Sequence, residues 1–125
     1  MMSEKPIKTK TILIVEDDAD IGAIFLHLLV DETPYETILV TDPLDALEVI
    51  KIITPVLFIF NYRLPHMNGI ELYDCLHAQP DLAHIPAMMA SATLPMDELA
   101  KREIVGLEKP LDINDFIDTV KQLIC

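Results

Sequence analysis

Apolar residues follow two alternating rhythms along this chain. Ile12-Leu13-Ile14-Val15 and Val56-Leu57-Phe58-Ile59-Phe60 are unbroken apolar runs of strand length, as expected for strands buried on both faces. After the first run, Ile21, Ile24, Phe25, Leu28 and Leu29 recur at i, i+3, i+4, i+7 and i+8, which predicts one apolar face of a helix. The acidic cluster Glu16-Asp17-Asp18 starts that helix and Asp31-Glu32-Thr33-Pro34 ends it. Thr37-Ile38-Leu39-Val40 reads as a second strand running into Asp42-Pro43. Asp42 can accept from the free N–H groups of a new helix, and Pro43 has its φ already set for the first helical position. Leu44, Leu47, Ile50 and Ile53 give that helix a buried stripe, and Thr54-Pro55 stops it.

The second half repeats the alternation. A helix follows Gly69 through Ile70, Tyr73 and Leu76 and breaks at Gln79-Pro80-Asp81. Ala87-Met88-Met89-Ala90 is a strand of weak propensity that relies on burial. A loop from Ser91 to Pro95, a short helix from Met96 to Ile104 and a brief strand from Val105 to Glu108 come next. The last helix carries Phe116, Ile117, Val120, Leu123 and Ile124 on one face, with Asp112 or Asn114 as its N-cap. Five strand-helix units predict an α/β protein, a parallel five-stranded sheet with helices on both faces. Residues 1–10 read as a flexible polar leader and 11–125 as one domain with no internal repeat.

Composition narrows the function. The 125 residues suit one domain, and 51% hydrophobic content without a membrane-spanning apolar run predicts a soluble protein with no membrane segment. A net charge of −12 with only 9 Lys and Arg argues against unaided nucleic-acid binding and favours a basic partner surface or a metal cation. Cys75 and Cys125 show neither metal-ligand spacing nor a disulfide framework, which suits reduced thiols in the cytoplasm. Met1 to Pro6 lacks the apolar core of a secretory signal. His27, His66, His77 and His84 are scattered, and surface or loop roles are expected for them.

The candidate chemistry lies just beyond the strands. Asn61 ends the apolar run Val56 to Phe60 and opens a Pro/Gly loop, so it is expected on the rim of the sheet. Glu16-Asp17-Asp18 after the first strand and Lys109-Pro110 after the last can converge there. Carboxylates and a lysine at the carboxyl ends of parallel strands make a place for a divalent cation and a phosphoryl group. The nucleophile of such a site would be a carboxylate, and Asn61 is an amide. Two plainer readings compete: an acidic cluster suits the positive end of any helix dipole, and Lys109 could be an ordinary surface lysine.

Several motifs together resemble the response-regulator receiver family of two-component signalling. They are Ile12 to Asp18, the strand and loop Phe58 to Gly69, Ser91-Ala92 after the fourth strand, and Lys109-Pro110 after the fifth. The resemblance covers nearly the whole chain and implies a flavodoxin-like (βα)5 fold with strand order 2-1-3-4-5. It further implies that Glu16, Asp17 and the backbone carbonyl of Arg63 hold Mg²⁺, that Ser91 bonds a phosphoryl group and that Lys109 neutralises it. Pro110 would follow a cis peptide bond. Asn61 matches the phosphoacceptor aspartate, and there the pattern fails.

With two carboxylates instead of three, Mg²⁺ binding should be weak or absent, the amide carbonyl of Asn61 remaining as a poor ligand. Gly106 stands where the family usually has Tyr or Phe, and the eighteen positions from Ser91 to Lys109 imply a trimmed fourth helix. The resemblance thus implies a signalling domain and not an enzyme. It would meet a sensor histidine kinase or another signalling protein as a monomer or weak homodimer. Two readings follow. One is a receiver-like module working through protein contacts without phosphorylation, through its first helix or the face of the fourth helix, fifth strand and last helix. The other is a conventional Mg²⁺-dependent phosphoacceptor silenced by an Asp→Asn substitution.

Overall fold

The computed structural model describes residues 10–124; most of the expected leader and Cys125 lie outside them. Five parallel strands, β1 (Thr11–Val15), β2 (Glu36–Val40), β3 (Leu57–Phe60), β4 (Ala87–Ser91) and β5 (Val105–Glu108), form one sheet of order β2-β1-β3-β4-β5. Helices α1 (Ala19–Glu32), α2 (Pro43–Val49), α3 (Gly69–His77), α4 (Met96–Lys101) and α5 (Ile113–Ile124) cover it, with a single 3-10 turn at Pro80–Leu82. This is the flavodoxin-like (βα)5 arrangement expected from the sequence.

Side chains alternate across the sheet, so each central strand feeds two cores. Leu13, Val15, Phe58, Phe60 and Met89 join Ala46, Leu72, Leu76 and Leu99 on one face, under α2, α3 and α4. Ile12, Ile14, Ile59 and Met88 join Phe25, Leu29, Phe116 and Val120 on the other, under α1 and α5. Burial on both sides explains the unbroken apolar runs of β1 and β3. It also lets the low-propensity segment Ala87-Met88-Met89-Ala90 hold a strand, since all five residues of β4 are buried.

The helix starts follow their caps. The Asp18 carboxylate accepts from the Asp20 and Ile21 N–H groups, and that of Asp42 from Leu44. Asn68 and Glu71 form a reciprocal capping box at α3. Asp112, one of the two expected caps, accepts from the Asp115 N–H.

Three expectations are corrected. Ile24 is 56% exposed, because α1 and α5 leave an open groove over it instead of closing onto it. In α2 the buried stripe begins at Pro43 and Ala46, and Leu44 is 46% exposed; α2 also ends at Val49, before Thr54-Pro55. The small Ala46 is fully buried against the sheet, and Leu47 and Ile50 of the expected stripe pack partly buried beside it. The fourth helix spans only Met96–Lys101, three residues short of the expected end at Ile104, and Glu103, at φ 58°, turns the chain toward β5.

Candidate functional site

The sheet itself aims the site residues. The ladder continues one residue past three strand ends: Glu16 N–H donates to the Val40 carbonyl (3.1 Å), Asn61 N–H to Val15 (2.9 Å) and Lys109 N–H to Ser91 (2.9 Å). Glu16, Asn61 and Lys109 therefore leave the carboxyl edge with their backbones fixed by the core. Buried Ser91 ends β4 on the same edge. Gly69 opens α3 against the backbone of Asn61, where a β-carbon would lie 2.7 Å from the Asn61 carbonyl oxygen. Its N–H donates to the Tyr62 carbonyl at 2.7 Å, closing the loop between.

The acidic cluster divides its work. Asp18 caps α1, while Glu16 and Asp17 turn toward Asn61. The Asn61 amide nitrogen, Nδ2, donates to Asp17 Oδ1 at 2.9 Å, to the Arg63 carbonyl at 3.0 Å and to Glu16 Oε2 at 3.3 Å. The other Glu16 oxygen accepts from Lys109 Nζ at 2.7 Å, and Oε2 also accepts from the Asp18 N–H at 3.1 Å. Lys109 in turn lies 5.9 Å from the centroid of the Phe25 ring. Its bond to Pro110 is cis. Glu16 is 1% exposed, and burial holds its carboxyl above the ordinary glutamate value of 4.5, with Lys109 opposing that rise.

The structure therefore brings Glu16, Asp17, Asn61, the Arg63 carbonyl and Lys109 into one bonded set, with Ser91 beside them on the strand edge. Within that set Asn61 turns its nitrogen, not its carbonyl oxygen, toward Glu16, Asp17 and Arg63. Three acceptor oxygens surround that atom, and only the NH₂ end satisfies them. The arrangement does not fit Mg²⁺, which needs oxygens at about 2.0–2.1 Å in an octahedron. The Arg63 and Asp17 oxygens and Glu16 Oε2 are spaced around a hydrogen-bond donor instead. Among the described residues no group of three or more His, Cys, Asp or Glu side chains is placed to hold a metal ion.

Two features were not foreseen. His77, expected at the surface, is half-buried: its ring stacks on Tyr73 with centroids 3.8 Å apart, and its nitrogens lie against the Tyr73 and Ile85 carbonyls at 3.1 and 2.7 Å. Arg102 joins α3 to α4 through paired bonds to Asp74 (2.8 and 2.9 Å) and two to Glu98, one to its carboxylate (2.9 Å) and one to its carbonyl (3.0 Å). Sequence spacing gave no sign of the Asp74 link, which spans 28 residues.

A parallel sheet of this order with an acidic pair and a lysine at its carboxyl edge defines a class of signalling domain. The sequence profile of the response regulator receiver domain matches residues 12–121, and the chain belongs to that family. Among its relatives, the polar-differentiation response regulator DivK of Brucella ovis is 29% identical over 117 residues, covering 90% of this chain and 94% of DivK. The signal receiver domain of a signal transduction histidine kinase from Syntrophus aciditrophicus superposes with a TM-score of 0.81 at 28% identity, covering 93% of this chain and 90% of that one. The chemotaxis response regulator CheY4 of Vibrio cholerae, at 23% identity, shares the fold with a TM-score of 0.83 over 93% of this chain and 99% of its own. No helix among the described residues is long and apolar enough to cross a membrane.

Proposed function

We propose that this receiver domain signals through protein contacts and takes no phosphoryl group at Asn61, the position that matches the family's phosphoacceptor. The observation that carries this reading is the orientation of the Asn61 side chain. Its nitrogen is committed to Glu16, Asp17 and Arg63, and an amide oxygen is a poor nucleophile toward phosphorus. Ser91 and Lys109 keep the positions of a hydroxyl that would bond a phosphoryl group and a cation that would neutralise it, but Lys109 is paired with Glu16. Mg²⁺ binding at Glu16, Asp17 and the Arg63 carbonyl is weak or absent on this reading.

Gly106, three residues before Lys109 in β5, supports it separately. A β-carbon there would meet Leu99 Cδ1 at 2.7 Å and Leu94 Cδ1 at 3.0 Å. The room that an aromatic switch residue would need is filled by two leucines, so the usual coupling of the site to the α4, β5 and α5 face has no moving part.

The contact surface of this reading is the groove between α1 and α5. It encloses about 550 Å³ and is walled by Ile21, Ile24, Leu28, Leu111, Ile113 and Phe116. Asp20 stands one turn before Ile24, and Asp112 and Asp115 flank Ile113 in sequence, all three exposed. An apolar trough with acidic borders is complementary to an amphipathic helix bearing Lys and Arg, as a helix of a signalling partner such as a sensor kinase would supply.

The second reading, a conventional phosphoacceptor silenced at one residue, draws its support from the retained Glu16, Asp17, Ser91 and Lys109. Intact mass after exposure to acetyl phosphate and Mg²⁺ separates the two. Neither the chain nor its Asn61→Asp variant should gain a phosphoryl group if the whole site has left phosphotransfer. Gain by the variant alone would favour the second reading, and gain by the unaltered chain would overturn the first.

A further inference from the structure

We propose that the Asn61 carboxamide acts in this protein as a built-in substitute for a divalent cation, clamping two loops permanently and making the shape of the site independent of Mg²⁺. The proposal deepens the reading of Asn61 as a position without phosphoryl chemistry, but it stands on the hydrogen bonds themselves and its test uses no phosphodonor.

A cation at this edge would serve the structure by drawing together oxygens from the loop after β1 and the loop after β3. Here one side chain does so. Asp17 belongs to the first loop and Arg63 to the second, and Nδ2 binds both, at 2.9 and 3.0 Å. An NH₂ group has two hydrogens. These serve Asp17 and Arg63 best, leaving Glu16 Oε2, at 3.3 Å, a shared contact. Glu16 does not depend on that contact, because Lys109 and the Asp18 N–H already satisfy its oxygens.

Charge agrees with geometry. Glu16 and Asp17 carry two formal negative charges, Lys109 one positive, and the amide adds none while donating twice. A carboxylate at position 61 would place a third negative charge within hydrogen-bonding distance of the other two and would convert two attractions into repulsions. Such a site needs a cation to hold it closed; the amide removes that need. Mg²⁺ would have to displace a side chain that is already bonded to its would-be ligands, and would recover only the Arg63 carbonyl and two carboxylates, one of them engaged by Lys109.

The test is a Mg²⁺ titration of the isotopically labelled chain, following the Asn61 side-chain NH₂ and the backbone signals of Asp17 and Arg63. Thermal unfolding in EDTA and in millimolar Mg²⁺ is measured in parallel for the chain and for Asn61→Asp. For the unaltered chain we expect no saturable shift of those signals and melting temperatures within about 1 °C of each other. Asn61→Asp should melt about 5 °C or more below the parent in EDTA and recover part of that loss in Mg²⁺. Saturable shifts at Asn61, Asp17 and Arg63 in the unaltered chain would overturn the proposal, as would an aspartate variant equally stable without metal. If Asn61→Asp does not fold, the titration of the unaltered chain decides alone. A phosphoryl adduct would defeat the functional reading above without altering the metal titration, so the two can fail separately.

Discussion

Position 61 shows how far one atom can redirect a site. Exchange of one oxygen for an NH₂ group keeps the shape of a carboxylate and reverses its hydrogen-bonding sense, so oxygens that would repel it become its partners. The clamp depends on a neighbour with no side chain. Because a β-carbon at Gly69 would press within 2.7 Å of the Asn61 carbonyl oxygen, and backbone cannot swing aside as a side chain can, Gly69→Ala must push α3 away from the end of β3. Its cost should be about 1–3 kcal/mol, the range of other overpacking changes, measured by denaturant unfolding. The loop between them, which carries Arg63, should lose protection from hydrogen exchange in the same variant.

At the scale of elements, the two faces of the sheet are held differently. On one, α4 is only six residues long and is tied to α3 by Arg102, which grips Asp74 with two parallel bonds. Those bonds hold the Asp74 carboxyl below the ordinary aspartate value of 3.8. The folded state thus releases this proton more readily than the unfolded state, and the stability it contributes is present above 3.8 and is lost as pH falls through the depressed value. An NMR titration should find the Asp74 midpoint below 3.8 and returning toward it in Arg102→Gln. Because Asp74 is 52% exposed, solvent screening keeps the accompanying loss of stability near neutral pH under about 1 kcal/mol.

On the other face, α1 and α5 touch through Phe25 and Phe116, stacked at 4.8 Å, and part above them to form the groove. Ile24→Asp tests its role with a control built into the charge. A Leu/Lys amphipathic peptide drawn only by net negative charge should bind the variant more tightly. One seated in the groove should bind it at least about tenfold more weakly, since a carboxylate would then be buried against apolar side chains. Titration calorimetry with both chains reads the sign directly, and the melting temperature should hardly move because Ile24 is already exposed.

For the molecule as a whole, the topology was legible because burial on both faces writes parallel strands as plain apolar runs, and Asp18 and Asp42 mark two helix starts; the Asn68 cap of α3 was not read from the sequence. What periodicity left open was distance. It placed Ile24 and Leu44 on the apolar sides of α1 and α2, but not how closely a neighbouring element would approach them. The candidate site was legible residue by residue, since Glu16, Asn61 and Lys109 each directly follow a strand. The direction of the Asn61 amide was not, because an amide can offer either end and only the surrounding oxygens choose. The Arg102 brace and the His77 contacts were hidden for a related reason: each depends on packing between segments that the chain order separates.

The Lys109–Glu16 pair joins residues 93 positions apart, from the first strand's end to the last's. On a ribosome, Glu16 is made 93 residues before its cationic partner. Until β5 has been made and docked, a carboxylate destined for burial has no counterion and must stay in water. The carboxyl edge of the sheet thus cannot be completed piecemeal, and a nascent or truncated chain lacking β5 would present partners with an unfinished surface.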